Sequence, residues 1–185
     1  YAVMGWLAAA QSLIIAAAHK VVGGIFQFFA FTGEPMFQVA QALFPHGKAE
    51  EIRRFKVILP IMGCILGVVI GAIAVAATLA FPNLFTNEPQ VVMESLKVMW
   101  PFFFSLMLII PSRTMQGLVV AEQDLAFYAG LMAVNAVLFA GAVAMFAINS
   151  TGPYMIMWWL HVAFYVINNI QFAMRIGQQR KLQTA

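Results

Sequence analysis

Val57 to Ala80 reads VILPIMGCILGVVIGAIAVAATLA, a run of 24 residues without a charged side chain. As a helix it is about 36 Å long, enough to cross a hydrocarbon core of about 30 Å. Gly63, Gly67 and Gly71 recur every fourth residue. They form a small-residue ridge on one helix face, which lets another helix approach closely. Immediately upstream, Lys48 to Lys56 reads KAEEIRRFK. That pattern predicts a short amphipathic helix at the membrane surface, entered through a turn at Pro45-His46-Gly47-Lys48.

The rest of the chain extends this reading. It is 63% hydrophobic and 9% charged, whereas a soluble domain carries about 25% charged residues. Long apolar stretches, rather than short alternating ones, indicate helices and not a transmembrane barrel. The fold class expected is an all-α membrane protein, a polytopic helical bundle with about five membrane-crossing helices. We read residues 1–185 as a single transmembrane helical lobe, with helices at 7–44 (broken near 33–35), 57–80, 91–121, 125–148 and 154–174. The first is too long for a simple span, and its breaker pair is Gly33 and Pro35 rather than anything near His19-Lys20. In 91–121, the part carrying Glu94 and Lys97 suits the interface, and Pro101 and Pro111 suit kinks. The connections at 81–90 and 149–153 read as loops, and Arg175 to Ala185 as a polar tail.

Charge placement bears on topology. Lys48, Arg53, Arg54 and Lys56 lie in one connection and Arg175, Arg180 and Lys181 in the tail, while 81–90 and 149–153 hold no lysine or arginine. Five crossings put both basic segments on one side, which the positive-inside rule makes cytosolic or, in a plastid, stromal. Trp158, Trp159 and Tyr154 suit an aromatic belt on the opposite side. The net charge of +3 comes from these topology signals and implies no nucleic-acid partner. The partner implied by composition is the lipid bilayer. Cys64, the single cysteine, allows no disulfide within the chain. The chain starts at Tyr1 on apolar residues without a signal or transit pattern, so we expect the C-terminal part of a longer protein.

Glu34, in Phe31-Thr32-Gly33-Glu34-Pro35, is the most informative single residue. A carboxylate among apolar helical residues is costly unless it faces a cavity or a partner. Pro35 removes a backbone donor and is expected to break the helix beside it. An acid at a broken helix is how many secondary transporters build a mid-membrane site. Burial disfavours the ionised form, which suits a group that loads and releases a proton. The competing role is a helix cap or a partner for a lysine or arginine.

Leu13 to His19 (LIIAAAH), then Gly33-Glu34-Pro35 and Gln38-Val39-Ala40-Gln41-Ala42, resemble the eighth helix of multidrug and toxic compound extrusion (MATE) transporters. Leu43-Phe44-Pro45, the basic connection, the glycine-rich span, Phe81-Pro82-Asn83-Leu84-Phe85-Thr86, and Gln116 to Ala121 followed by Asp124 continue the pattern in order. The Gly-Glu-Pro variant is most similar to the plastid-type plant and algal branch. The resemblance covers nearly the whole chain and rests on motif order rather than on one motif. It implies two six-helix lobes facing one cavity, of which this chain is most of the C-terminal lobe. It further implies an antiporter that exports a small organic solute by alternating access, coupled to H+ or Na+, with Glu34 at the family's helix-eight acid. The implied partner is the N-terminal lobe of the same chain.

The remaining polar residues in apolar surroundings complete the candidate site. Gln38 and Gln41 face a cavity or bond to another helix. Arg113, Thr114 and Gln116 form a second cluster, in which Arg113 pairs with an acid, binds an anion or snorkels to the interface. Asn135, with Asn168, Asn169 and Gln171, lines a pore or joins helices by hydrogen bonds. His19 matches a family histidine with a structural role, and His161 is a candidate pigment ligand, since neutral imidazole can bind a chlorophyll magnesium. No resident cofactor is required, although chlorophyll or lipid fits a second reading. In that reading the chain is a degenerate half-transporter that serves as a structural subunit beside another membrane subunit of a larger, photosynthetic complex. No metal-ligand spacing, catalytic triad or phosphate loop appears, so no enzyme is expected.

Overall fold

The computed structural model describes residues 2–44, 47–81, 84–148 and 154–182. The turns read at 45–46, 82–83 and 149–153, and the end of the tail at 183–185, lie outside the described residues. Among the described residues eight α-helices follow in order: α1 (Ala2–Gln11), α2 (Leu13–Ala30), α3 (Glu34–Leu43), α4 (Ala49–Ala80), α5 (Pro89–Lys97), α6 (Met99–Ala121), α7 (Leu125–Ile148) and α8 (Tyr154–Leu182). Among the described residues four stretches are long and apolar enough to cross a membrane: Leu13–Leu43, Ala49–Ala80, Met99–Ala121 and Leu125–Met145. The all-α polytopic class is therefore met. α8, read as a fifth crossing, is 29 residues long, but its His, Asn and Gln residues make it the most polar of the long helices.

Helix ends differ from the sequence reading at four places, each for a local reason. Ser12 takes extended dihedrals, and its hydroxyl accepts a 3.1 Å hydrogen bond from the Ile15 amide. This N-cap starts α2 and leaves residues 7–11 in α1. Lys48 starts α4 by the reverse bond: its backbone amide donates to the Glu51 carboxylate at 2.9 Å. From there the basic surface segment and the span form one continuous helix, not two. The stretch 91–121 is split at Val98. Pro101 cannot donate to the Lys97 carbonyl and its ring would clash there, so it occupies the first turn of α6 and ends α5 rather than kinking a longer helix. Finally, the polar tail is helical to Leu182. Arg175 and Gln179, one turn apart, both donate to Asp124, at 2.6 and 3.0 Å.

At the expected break near 33–35, α2 ends at Ala30 and α3 begins at Glu34. Phe31–Gly33 forms a 3-10 turn, and Gly33 and Glu34 keep right-handed helical dihedrals. The Phe31 carbonyl, which Pro35 cannot serve, accepts from the Glu34 amide one residue earlier. The ladder tightens from i+4 to i+3 bonding and loses no bond at that carbonyl.

α6 is the central helix, with α3, α4 and α8 packed around it. The glycine ridge of α4 lies on it. A Cβ added at Gly63 would come within 2.7 Å of Thr114 Oγ1, one at Gly71 within 3.1 Å of the Phe103 ring, and one at Gly67 onto the Met107 carbonyl. That carbonyl is the one Pro111 leaves without its helical donor. Gly117 repeats the device against Phe37 and Ala40 of α3. The outer faces of α4 and α7 expose Ile61, Ile65, Val137 and Leu138. Apolar surface of that extent is suited to lipid tails rather than water.

Candidate functional site

Glu34 is the first residue of α3 and is half-buried. Among the described residues its carboxylate makes no hydrogen bond or ion pair. Gly33 beside it lies against α6: a Cβ there would stand 3.3 Å from Arg113 Cγ. The junction of α2 and α3 is thus pressed onto α6 at Arg113. The half-buried Arg113 donates through Nη1 to Gln116 Oε1 at 3.2 Å. Gln116, 3% exposed, donates through Nε2 to Ser112 Oγ at 3.1 Å. The guanidinium makes no ion pair among the described residues. A carboxylate and a guanidinium without salt-bridge partners therefore flank one helix contact, with an amide–hydroxyl relay behind the cation.

Thr114 does not join them. Its hydroxyl donates to the Ile110 carbonyl at 2.9 Å and faces Gly63 of α4. Gln38 is exposed and Gln41 half-buried on α3. The α3 face turned to α6 is carried instead by Phe37 and Ala40 against Gly117. Gln38 therefore lies on the open side of the same helix that begins with Glu34.

Asn135 belongs to a different contact. Its Nδ2 donates to Asn168 Oδ1 at 2.9 Å and to Gln171 Oε1 at 2.6 Å, joining α7 to α8. Asn169 Nδ2 reaches the Leu108 carbonyl at 3.0 Å, joining α8 to the proline-bearing turn of α6. Asn135 and Asn169 thus make hydrogen bonds between helices, α7 to α8 and α8 to α6. His161 is 4% exposed, with the rings of Tyr165, Phe26, Trp158 and Phe139 centred 4.9 to 6.0 Å away. His19, also 4% exposed, packs near Trp158 and Tyr154. Both histidines are members of one aromatic core.

Sequence reading missed two ionic anchors. Lys56, whose side chain is fully buried, pairs with Glu122, and Arg175 pairs with Asp124 at 2.6 Å. Both acids sit in the turn between α6 and α7, at the end of the bundle where the basic residues of α4 begin. The available signal was two acids directly after an apolar helix, at the end that positive charge marks. Lys20, an exposed cation within the apolar α2, was also passed over.

The chain is similar to Protein DETOXIFICATION 47, chloroplastic, of Arabidopsis thaliana, with 25% identity over 171 residues covering 89% of this chain. The match covers 31% of that protein, so the chain spans about a third of the length of the curated relative it matches. That relative is a MATE protein, and the resemblance read from the motifs stands: this chain has a plastid-type MATE relative. No family model matches the chain, and no solved structure matches it. The relationship supports membrane transport at the level of the family. With four apolar helices of spanning length, it also supports a membrane-embedded protein.

Proposed function

We propose that this chain is most of the C-terminal lobe of a secondary active antiporter, which exports a small organic solute across a plastid membrane by alternating access. Glu34 exchanges the coupling ion, H+ or Na+. The other lobe is supplied by the rest of the same protein, and the two rock about a shared cavity. The observation that carries this reading is the Glu34 carboxylate: within an apolar helix, without a salt bridge among the described residues, beside a helix contact that holds Arg113. An intramembrane acid of that kind is a functional group by default.

The chemistry follows from charge. Ionised, Glu34 is attracted across the α3–α6 contact to the Arg113 guanidinium. Neutralised by a proton, or screened by Na+, it loses that attraction. Loading the ion therefore changes how strongly the α2–α3 unit is held to α6. Gln38 and Gln41, on α3 beyond Glu34, are offered to the solute as amide contacts. The basic end, with Lys56–Glu122 and Arg175–Asp124, faces the stroma. The rival reading, a structural subunit with pigment on His161, gains no support from the ring's burial among four aromatic side chains.

The test is Glu34→Gln in the full-length protein, reconstituted in liposomes with an imposed pH or Na+ gradient. We expect solute binding to persist while gradient-driven efflux loses its dependence on the coupling ion, and Glu34→Asp to restore part of it. Efflux with unchanged ion dependence in Glu34→Gln would remove Glu34 from the coupling role.

A further inference from the structure

Lys20, Gly24 and Phe28 lie at i, i+4 and i+8 of α2 and share one face of that helix. Lys20 is exposed and Phe28 is 71% exposed. A Cβ placed on Gly24 would meet nothing within 4 Å. Opposite this face stand Ala77, near the end of α4, and Phe85 of the next connection. Together with Phe29 they bound a groove of about 420 Å³. Its walls are apolar apart from the lysine, which makes no ion pair among the described residues.

The depth of the groove identifies its occupant. The apolar run from Val57 to Ala80 is about 36 Å long against a core of about 30 Å, so the core ends about 3 Å inside each end of the run. Ala77, three residues from the end, is about 4.5 Å inside and so lies at that boundary. Lys20 lines the same groove, so with the run 57–80 centred in the core it falls near the headgroup level, where a lysine ammonium comes to rest when its stem lies along apolar surface. α2 runs antiparallel to α4, since Ala40 and Phe44 of the α3 end cluster with Leu59. Gly24 and Phe28 therefore descend about 6 and 12 Å from Lys20 into the hydrocarbon layer.

We propose that this groove binds a negatively charged membrane lipid, its acidic headgroup on the Lys20 ammonium and one acyl chain along Gly24 and Phe28. A lysine ammonium near the membrane surface attracts acidic lipid headgroups by charge. The glycine supplies the width of the groove, the phenylalanines its apolar wall, and the lysine its choice of charge.

The test uses the full-length protein in nanodiscs of phosphatidylcholine doped with phosphatidylglycerol, with retained lipids counted by native mass spectrometry. We expect phosphatidylglycerol to be enriched among retained lipids. Lys20→Gln should lower that enrichment about fivefold, and Lys20→Arg should keep it. Gly24→Leu fills the groove without touching the charge and should expel the retained lipid. Glu34→Gln should leave retention unchanged, which separates this site from the coupling role. Equal enrichment in Lys20→Gln would overturn the proposal. So would competition by soluble glycerol phosphate at the level of the intact lipid, which would mean a free-anion site. Cross-linking of a Phe28→Cys variant to another segment of the same polypeptide would also overturn it, because protein would then cover the groove.

Discussion

Replacing Gly67 by alanine adds one methyl group at the closest approach of α4 to α6. The new Cβ would land on the Met107 carbonyl, a backbone group that no rotamer change can move. An ordinary carbon–oxygen contact needs about 3.3 Å, so the two helices must part by about 1 Å. A radial gap of that size forfeits a quarter to a half of the dispersion well at each facing atom pair. The neighbouring ridge contacts, Gly63 on Pro111 and Thr114 and Gly71 on Phe103, share the loss because α4 moves as one rod. Overpacking of this kind costs about 1–3 kcal/mol, against which alanine gains about 0.5–1 kcal/mol in helix propensity. Gly130 of α7 is the control, since a Cβ there meets nothing within 4 Å. Only the propensity gain applies to it. Gly67→Ala should therefore fall about 1–3 kcal/mol below Gly130→Ala in equilibrium unfolding of the detergent-solubilised protein. Equal stability of the two variants would refute the close packing of α4 on α6.

Two further stability predictions rest on buried polar contacts. Lys56→Met should cost about 3–5 kcal/mol by leaving the Glu122 carboxylate without its cation, and adding Glu122→Gln should recover most of the loss in the same unfolding assay. A double-mutant cycle of Asn135→Ala and Gln171→Ala should give a coupling of about 0.6–1.7 kcal/mol, whereas two additive losses would mean that the 2.6 Å bond contributes nothing.

Much of this architecture was legible because membrane helices declare themselves by length and polarity. Val57 to Ala80 and Leu125 to Ile148 needed only the absence of charge over a spanning length. The glycine ridge was readable from its spacing alone, because only small side chains leave room for a helix at that distance. What escaped was decided by single hydrogen bonds. Ser12 divides α1 from α2 through one hydroxyl, a signal that an apolar run hides. Gly33-Glu34-Pro35 carries the composition of a break; what the composition does not say is that a 3-10 turn fills it, with the Glu34 amide on the Phe31 carbonyl. The tail past Met174 reads as polar and loose until Asp124, about fifty residues upstream, is found holding Arg175 and Gln179. Of the candidate site, Glu34, Arg113 and Gln116 come to one helix contact. Asn135 does not, because sequence spacing cannot say which neighbour an amide faces.

The distribution of ion pairs separates two kinds of charge in this chain. At the bundle ends, charges close on one another: Glu50 with Arg54, Lys56 with Glu122, Glu94 with Lys97, and Asp124 with Arg175. Within the apolar helices α2, α3 and α6, Lys20, Glu34 and Arg113 make no ion pair among the described residues. For Glu34 and Arg113 the cost of leaving a charge unpaired is far greater than at the bilayer edge, where Lys20 lies, so packing alone would favour pairing them. Paired ends fix where the helices terminate. Unpaired charges along the spans retain affinity for something that is not a fixed side chain of this lobe. A carboxylate beside a guanidinium suits an ion that comes and goes, and a lysine above a glycine-widened groove suits an acidic headgroup that stays. The two roles are separable by experiment because Glu34 and Lys20 stand about 20 Å apart along the α2–α3 unit, one on α3 and the other on α2.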